Sequence, residues 1–174
     1  LRAPLRAIDG FSRILLDDHA GSLSEEGRRL CGIVRRNAQA MGRLIDDLLE
    51  FSRMGRALLQ HEAVNMDELA HAVAEEIEPS YGPRKVELCI EPLTSARGDR
   101  AMLRQVFHTL LSNAVKYTKP RELARILVRA TDQEGETIYS VKDNGVGFEM
   151  EYAHKLFGVF QRLHSSKEFE GTGV

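Results

Sequence analysis

The chain is short of cysteine, of net charge and of long apolar runs, and each shortage removes a class of function. Two cysteines, Cys31 and Cys89, stand far apart and outside any C-x-x-C pair. They read as reduced, packed thiols of a cytoplasmic protein rather than as a disulfide framework. The formal net charge of −2 over 174 residues offers no electrostatic case for a nucleic-acid partner. No apolar run approaches the roughly 18 residues of a membrane span, and no signal peptide is visible, so no membrane segment is expected within these residues. The chemistry-bearing signatures of several large enzyme classes are missing as well. There is no G-x-x-x-x-G-K-[ST] phosphate loop, no G-x-S-x-G nucleophile elbow, and His61-Glu62 is followed by Asn65 where a zinc protease needs a second His. The six histidines are scattered, and internal repeats and low-complexity segments are absent. Leu1 is not an initiator Met and the chain stops at Gly171-Thr172-Gly173-Val174, which leads us to expect a piece of a longer protein, its parent either soluble or membrane-anchored.

What is present divides into two halves of different periodicity, 1–57 and 58–174, with a hinge expected over 52–62. In the first half Leu1, Leu5, Ile8 and Leu15 are spaced for one helix face, widened by Phe11 and Ile14. The spacing predicts a helix that stops near Ala20-Gly21, with Gly as its C-terminal cap. Ser22-Leu23-Ser24-Glu25 reads as a capping box opening a second helix. There Leu30, Val34, Asn37, Met41, Leu44, Leu48 and Phe51 alternate steps of four and three, a heptad seam broadened by Ile33, Ile45 and Leu49. Two such helices joined by a short loop form an antiparallel hairpin. A lone hairpin cannot bury so wide an apolar face, so a second copy completing a four-helix bundle is expected. Asn37 reads either as a register-setting seam residue or as an Asn at the solvent edge. The opposite face carries Arg28, Arg29, Arg35, Arg36, Arg43 and Arg53, with Asp46, Asp47 and Glu50 lower down. It is either a solvated face or a docking surface for an acidic protein.

From about His61 the pattern becomes mixed. Ala63-Val64 fits a short strand. Asn65 and Glu68 fit the cap of a helix with Leu69, Val73 and Ile77 inward. Val86, Leu88 and Ile90 alternate with polar residues as a half-buried strand does. Asp99 fits the cap of a helix expected to bury Leu103, Val106 and Leu110. Ile126, Val128 and Ala130 alternate again, and Asp132-Gln133-Glu134-Gly135 is the turn of a hairpin that returns through Thr137 to Lys142. Helices segregated from a largely antiparallel sheet make an α+β sandwich.

Three segments carry chemistry. Leu110-Leu111-Ser112-Asn113-Ala114-Val115-Lys116-Tyr117-Thr118 closes a helix. The amide oxygen of Asn113 is a hard ligand suited to Mg2+, and Lys116, one turn on, can reach phosphate as a point charge. An Asn at a helix end is also an ordinary cap. Val141-Lys142-Asp143-Asn144-Gly145-Val146-Gly147-Phe148 is a strand running into a glycine turn. A carboxylate at a strand end can accept from an exocyclic amine, and glycines let backbone approach a ligand; D-x-G-x-G is equally a plain turn. Gly171-Thr172-Gly173 offers unhindered amides to phosphate, or is a flexible tail.

In this order and spacing the segments, with almost all of the chain, resemble the transmitter region of a sensor histidine kinase. Leu110–Thr118 is similar to the family's N box, Asp143–Gly147 to its G1 box, Leu156-Phe157-Gly158-Val159-Phe160 to its F box, Gly171–Gly173 to the start of its G2 box, and Leu1-Arg2-Ala3-Pro4-Leu5 to the tail of its H box. The stretch from Asp143 to Gly173, with Gln161-Arg162-Leu163-His164, resembles the light-sensing, phytochrome-like branch.

The resemblance implies a dimeric helical hairpin (1–57) followed by an α/β sandwich of the histidine kinase, gyrase and Hsp90 ATPase type (58–174). It implies ATP and Mg2+ as ligands, with Asn113 on the metal, Lys116 near the phosphates and Tyr117 flanking the adenine. Asp143 would accept from the adenine amino group, with Gly145 and Gly147 shaping that pocket. Residues 144–170 would form a lid packed by Phe157 and Phe160, which read equally as simple core. Gly171, Thr172 and Gly173 would face the phosphates. The implied partners are a second copy of the chain, a response-regulator receiver domain and an upstream sensor domain. The implied reaction passes the γ-phosphoryl group to a histidine nitrogen and then to an aspartate.

Departures from the family pattern bear on that reading. The family's acceptor His falls two residues before Leu1, and none of His19, His61, His71, His108, His154 or His164 has a comparable context, so these residues alone are not expected to autophosphorylate. Thr109 stands where many relatives have a second Asn, Ala3 where phosphatase-active relatives carry Thr or Asn, and the last glycine and Leu of the G2 box fall beyond Val174. Two other readings keep the fold: a dimerisation and relay module without turnover, which the intact Asn113, Lys116 and Asp143 argue against, and another ATPase of the superfamily, which the hairpin argues against.

Overall fold

A computed structural model describes residues 2–54, 59–156, 158, 168 and 169, with only the backbone of residues 50–54 and 155. Contacts divide the chain into two compact units, Leu58–Glu151 and the remainder.

The first unit holds helices α1 (Arg2–Asp17) and α2 (Glu25–Met54), joined through a single 3-10 turn at Ala20–Ser22. α1 ends three residues earlier than expected, and Gly21 sits in the turn without adopting the left-handed conformation of a helix cap. The capping serine of α2 is Ser24, whose Oγ accepts from the Gly27 amide at 3.1 Å, while Ser22 Oγ donates back to the His19 carbonyl at 2.8 Å. With Gly at the third helical position no Glu reaches back, so the capping box is reduced to its serine half.

The two helices meet along small and polar residues. Ser12 is 6% exposed and Ala38 4%. Asp9 Oδ1 accepts from Gln39 Nε2 at 2.8 Å and faces Arg35 Nε at 3.3 Å, and Arg2 pairs with Asp46 at 2.6 Å. The heptad seam read from the sequence points elsewhere: Leu30, Val34, Met41 and Leu48 are exposed, with Ile8, Phe11, Ile14 and Leu15 exposed on α1. Asn37 is exposed and donates to its own helix at Ile33 O, 2.9 Å away, so it holds no register within the hairpin. Phe51 and Arg53 have side chains outside the described residues, as does all of Leu1.

The second unit runs β1 (Glu62–Val64), α3 (Met66–Ile77), β2 (Lys85–Ile90), β3 (Ala96–Gly98), α4 (Arg100–Tyr117), β4 (Leu123–Gln133) and β5 (Glu136–Asp143). β1 and β3 pair antiparallel, and β2-β4-β5 form a three-stranded sheet in which β2 runs parallel to β4 and β5 antiparallel. The sheet is therefore mixed rather than largely antiparallel, because α4 carries the chain back to start β4 beside β2 in the same direction. Among the described residues the layers are two helices on one sheet face. Met66, Leu69, Val73 and Ile77 of α3 and Phe107, Leu111, Ala114 and Val115 of α4 share a core with Ile126 and Val128 of β4. Asn65 Oδ1 caps α3 through the Glu68 amide at 3.2 Å, as its sequence predicts. The inward stripe of α4 lies one residue beyond the expected one. Leu103 is half-buried, but Val106 and Leu110 are exposed, since the helix is apolar on two sides and Phe107 and Leu111 face the sheet. Phe107 stands edge-on to Tyr139 with centroids 6.3 Å apart, tying α4 to β5. The β4–β5 loop has both central residues left-handed, Glu134 at φ 52° and Gly135 at φ 86°, the two-residue turn whose twist suits a hairpin.

Candidate functional site

α4 presents the first group of candidate residues, and both of its ends are fixed. At the start, Asp99 Oδ1 accepts from the amides of Ala101 (3.0 Å) and Met102 (3.1 Å), and its Oδ2 accepts from the Gln60 amide at 3.1 Å. The Gln60 amide, then that of Met102, holds the Asp99 carboxyl below the usual carboxylate range; the Ala101 amide and the charge of His61 add to it. At the other end the buried Thr118 turns its Oγ1 back onto Ala114 O at 2.8 Å. Arg84 reaches in from the loop before β2. It donates to Tyr81 O (3.2 Å), Thr118 Oγ1 (3.2 Å) and Val115 O, placing a cation on the carbonyl end of α4. Asn113, Lys116 and Tyr117 occupy the last two turns, all half-buried. The Lys116 ammonium lies 4.5 Å from the centre of the Tyr117 ring, close enough for cation–π attraction.

The second group lies at the end of β5. The register sets Asp143 opposite Ile126, a core residue, so Asp143 stands on the sheet face that α4 covers, but beyond the core and exposed. Its Oδ1 accepts from the Gly145 amide at 2.8 Å, which folds the chain sharply and leaves Oδ2 for a donor from outside. Asn144 continues the ladder with its side chain: Oδ1 accepts from the Arg125 amide (2.8 Å) and Nδ2 donates to Leu123 O (3.0 Å).

The two groups are joined at Tyr117. Its carbonyl oxygen accepts from the Val146 amide at 3.2 Å. A Cβ on Gly145 would stand 2.7 Å from that oxygen, 2.9 Å from the carbonyl carbon and 2.6 Å from Asp143 Oδ1, so only glycine lets the turn lie against the helix end. Gly147 is needed for another reason. It has φ +64° with open space around its Cα, a left-handed residue facing no obstruction.

The structure thus joins Tyr117, at the end of the helix that also carries Asn113 and Lys116, to the turn that holds Asp143, Gly145 and Gly147. The remaining expected site residues, Phe157, Phe160, Gly171, Thr172 and Gly173, lie outside the described residues. Sequence reading passed over Arg84 and Arg121, and placed Thr118 and Asn144 within the two motif segments without giving either a bond of its own. Arg121 donates from Nε to Asn144 O (2.7 Å) and from Nη2 to Gly145 O (2.8 Å), and neither bond leaves a periodic trace in the sequence. The one available signal was Asn before Gly at a strand end. Among the described residues no group of three or more His, Cys, Asp or Glu stands ready to hold a metal. The donor set still fits magnesium, which keeps waters and phosphate oxygens and needs few protein ligands. A shallow, open depression on α3, lined by Asn65, Asp67, Glu68, His71, Ala72 and Glu75, contains none of the candidate residues. Among the described residues no helix is long and apolar enough to cross a membrane.

Two family models match: His Kinase A (phospho-acceptor) domain over residues 1–57, and histidine kinase-, DNA gyrase B- and HSP90-like ATPase over 98–174. Cyanobacterial phytochrome B of Nostoc sp. is 32% identical over all of this chain, which covers 23% of that relative. The chain spans about a quarter of the length of the curated relatives it matches. Among solved structures, full-length ShkA in complex with AMPPNP superposes with a TM-score of 0.59 at 27% identity, over 99% of this chain and 36% of ShkA. The histidine kinase ThkA, solved with the response regulator protein TrrA, shares the fold with a TM-score of 0.65 at 19% identity, over 94% of this chain and 49% of that one.

Proposed function

The chain belongs to the sensor histidine kinases, joining a phospho-acceptor hairpin to the ATPase-type unit of that family, and from that premise we propose that residues 58–174 bind Mg2+ and ATP at the junction of α4 and the Asp143–Gly147 turn. The observation that carries this reading is the Tyr117 carbonyl, on which the amide of Val146 and the bare Cα of Gly145 converge. It sets a strand-end carboxylate beside a helix end bearing an amide, an ammonium and an aromatic ring.

In the proposed site Asp143 Oδ2 accepts from the adenine amino group, and Gly145 and Gly147 shape the wall on which the base lies. Tyr117 flanks the base, Lys116 approaches the phosphates and Asn113 supplies an oxygen to Mg2+. The resemblance further assigns residues 144–170 to a lid that Phe157 and Phe160 would pack, and Gly171, Thr172 and Gly173 to the phosphates; these five residues lie outside the described ones. Bound ATP supplies the phosphoryl group that the parent protein passes to a histidine and then to an aspartate of a response regulator. The chain's own work is to hold, orient and neutralise. None of its six histidines lies in the acceptor context, so residues 1–174 alone take up no phosphate. The exposed apolar seam of α1 and α2 supports a homodimer in which a second hairpin covers it. An upstream sensor, a receiver-domain partner for the arginine face of α2 and a cytoplasmic setting complete the proposal.

Calorimetric titration with Mg-ATP tests it. The chain should bind, and Asp143→Ala should weaken binding by at least tenfold; equal affinities for the two would remove Asp143 from the site. For the parent protein, incubation with Mg-ATP should yield an acid-labile, base-stable phosphoprotein. Binding without any phosphoprotein would favour the relay reading, and steady hydrolysis without one would favour another ATPase of the superfamily.

A further inference from the structure

We propose that Arg121, which lies outside every family motif read in the sequence, is a positioning residue that sets the base selectivity of the nucleotide site; the inference rests on the nucleotide-binding reading above. Two tight turns deliver it. The Lys119 amide bonds Lys116 O at 3.2 Å and the Arg121 amide bonds Thr118 O at 2.9 Å, so the chain leaves α4 and returns at once toward the start of β4. From there the planar guanidinium spans two successive carbonyls of the glycine turn, Asn144 O from Nε and Gly145 O from Nη2. Its partners are backbone oxygens, so its effect passes through the turn and not through a carboxylate. A fork of fixed geometry fixes two consecutive peptide planes, which no point charge does.

These two planes are the ones that decide where Asp143 points. The Gly145 amide is the donor that holds Asp143 Oδ1. The peptide following Gly145 carries the Val146 amide that bonds Tyr117 O. Arg121 grips the carbonyl side of the same peptides from outside. Asn144 anchors the turn to β4 through Arg125 N and Leu123 O. The turn is thus held from three directions: by β4, by α4 and by Arg121. Removing Arg121 leaves Asp143 on its strand but frees the orientation of the peptides that aim its carboxylate. Adenine differs from guanine at that edge by presenting an exocyclic amine where guanine presents a carbonyl. Selectivity for adenine therefore depends on how firmly the carboxylate is aimed.

The test measures Kd for Mg-ATP and Mg-GTP on the whole chain by calorimetry, for wild type, Arg121→Ala, Arg121→Lys and Asn144→Asp. General destabilisation lowers the binding-competent fraction equally for both nucleotides and leaves their ratio unchanged, so the ratio isolates positioning from folding. Arg121→Ala should reduce the GTP-to-ATP Kd ratio by about tenfold, the scale of one or two charge-assisted hydrogen bonds. Arg121→Lys, which cannot bridge both carbonyls, should restore only part of it. Asn144→Asp keeps the acceptor for Arg125 N but loses the donor to Leu123 O, and should lower the ratio in the same direction; it keeps the test alive if Arg121→Ala fails to fold. An unchanged ratio in Arg121→Ala, or full recovery by Arg121→Lys, overturns the inference. Absence of nucleotide binding in the wild type overturns the underlying site reading instead, and is seen before any variant is made.

Discussion

The two glycines of the Asp143–Gly147 turn should respond to substitution in opposite ways, because different physics requires each. At Gly145 the obstacle is steric. An added Cβ lies 2.7 Å from Tyr117 O, more than half an ångström inside the 3.4 Å at which ordinary contact begins, and its neighbours are backbone atoms and a carboxylate already in use. Relief requires the turn to back away from α4, which stretches the Val146–Tyr117 bond of 3.2 Å and the Arg121–Gly145 bond of 2.8 Å. Overpacking of about 1–3 kcal/mol, plus about 0.5–1.5 kcal/mol for each of the two weakened hydrogen bonds, gives a loss of about 2–6 kcal/mol for Gly145→Ala. At Gly147 the obstacle is conformational alone: φ is +64° and nothing lies within 4 Å of the added carbon. Gly147→Ala should cost about 1–2 kcal/mol, and Gly147→Asn less, since Asn tolerates the left-handed region. Asn at position 145 should be no better than Ala, because its Cβ meets the same carbonyl. Urea unfolding of the four variants, with Mg-ATP titration of each, reads both stability and site. If Gly145→Asn proves as stable as Gly147→Asn, the close approach at Tyr117 is not what the turn depends on, and the reasoning fails.

Replacing Arg84 with Met keeps the bulk but strips the donors from Tyr81 O, Thr118 Oγ1 and Val115 O; thermal unfolding should show a loss of about 1–3 kcal/mol. Asp99 has a folded-state pKa held below its ordinary value, so its charge contributes stability above the unfolded-state carboxylate range that is lost as pH falls through the lower folded value. Melting temperatures of the wild type and Asp99→Asn should therefore differ near neutral pH and converge in acid; a constant gap at all pH values would show that the charge contributes nothing. Met41→Glu, at a side chain 53% exposed in one copy, should split the expected dimer without loss of helix, which sedimentation equilibrium and circular dichroism check together.

Which parts of this molecule were legible in its sequence depends on whether a local rule or a distant partner decided them. The caps Asn65 and Asp99, the β4–β5 turn and the inward residues of α3 follow from chemistry within four residues, and the sequence states them. The parallel pairing of β2 with β4 depends on where an eighteen-residue helix lays the chain down, which no local pattern encodes. The inward stripe of α4 was misplaced because Val106 and Leu110 have the same spacing as Phe107 and Leu111, and only the sheet opposite breaks the tie. In the same way the motif residues of the site were visible as types, while the Arg121 and Asn144 bonds that seat the turn join positions about twenty apart, by side chains onto backbone. The hairpin shows how a correct pattern can still be assigned to the wrong neighbour. Its large apolar residues recur at heptad spacing, and a hairpin's two helices are the nearest candidates to share them. Yet α1 and α2 meet through Asp9, Ser12, Ala38 and Gln39, with Val34, Met41 and Leu48 turned outward. Small residues let two covalently joined helices approach closely, and joining removes the entropy of association that a large buried area must otherwise offset. The wide seam is the kind of surface association needs when the partner is not attached. The large apolar residues left outward on both helices, beside a contact that buries Ser12 and Ala38, are therefore themselves an argument for a second copy.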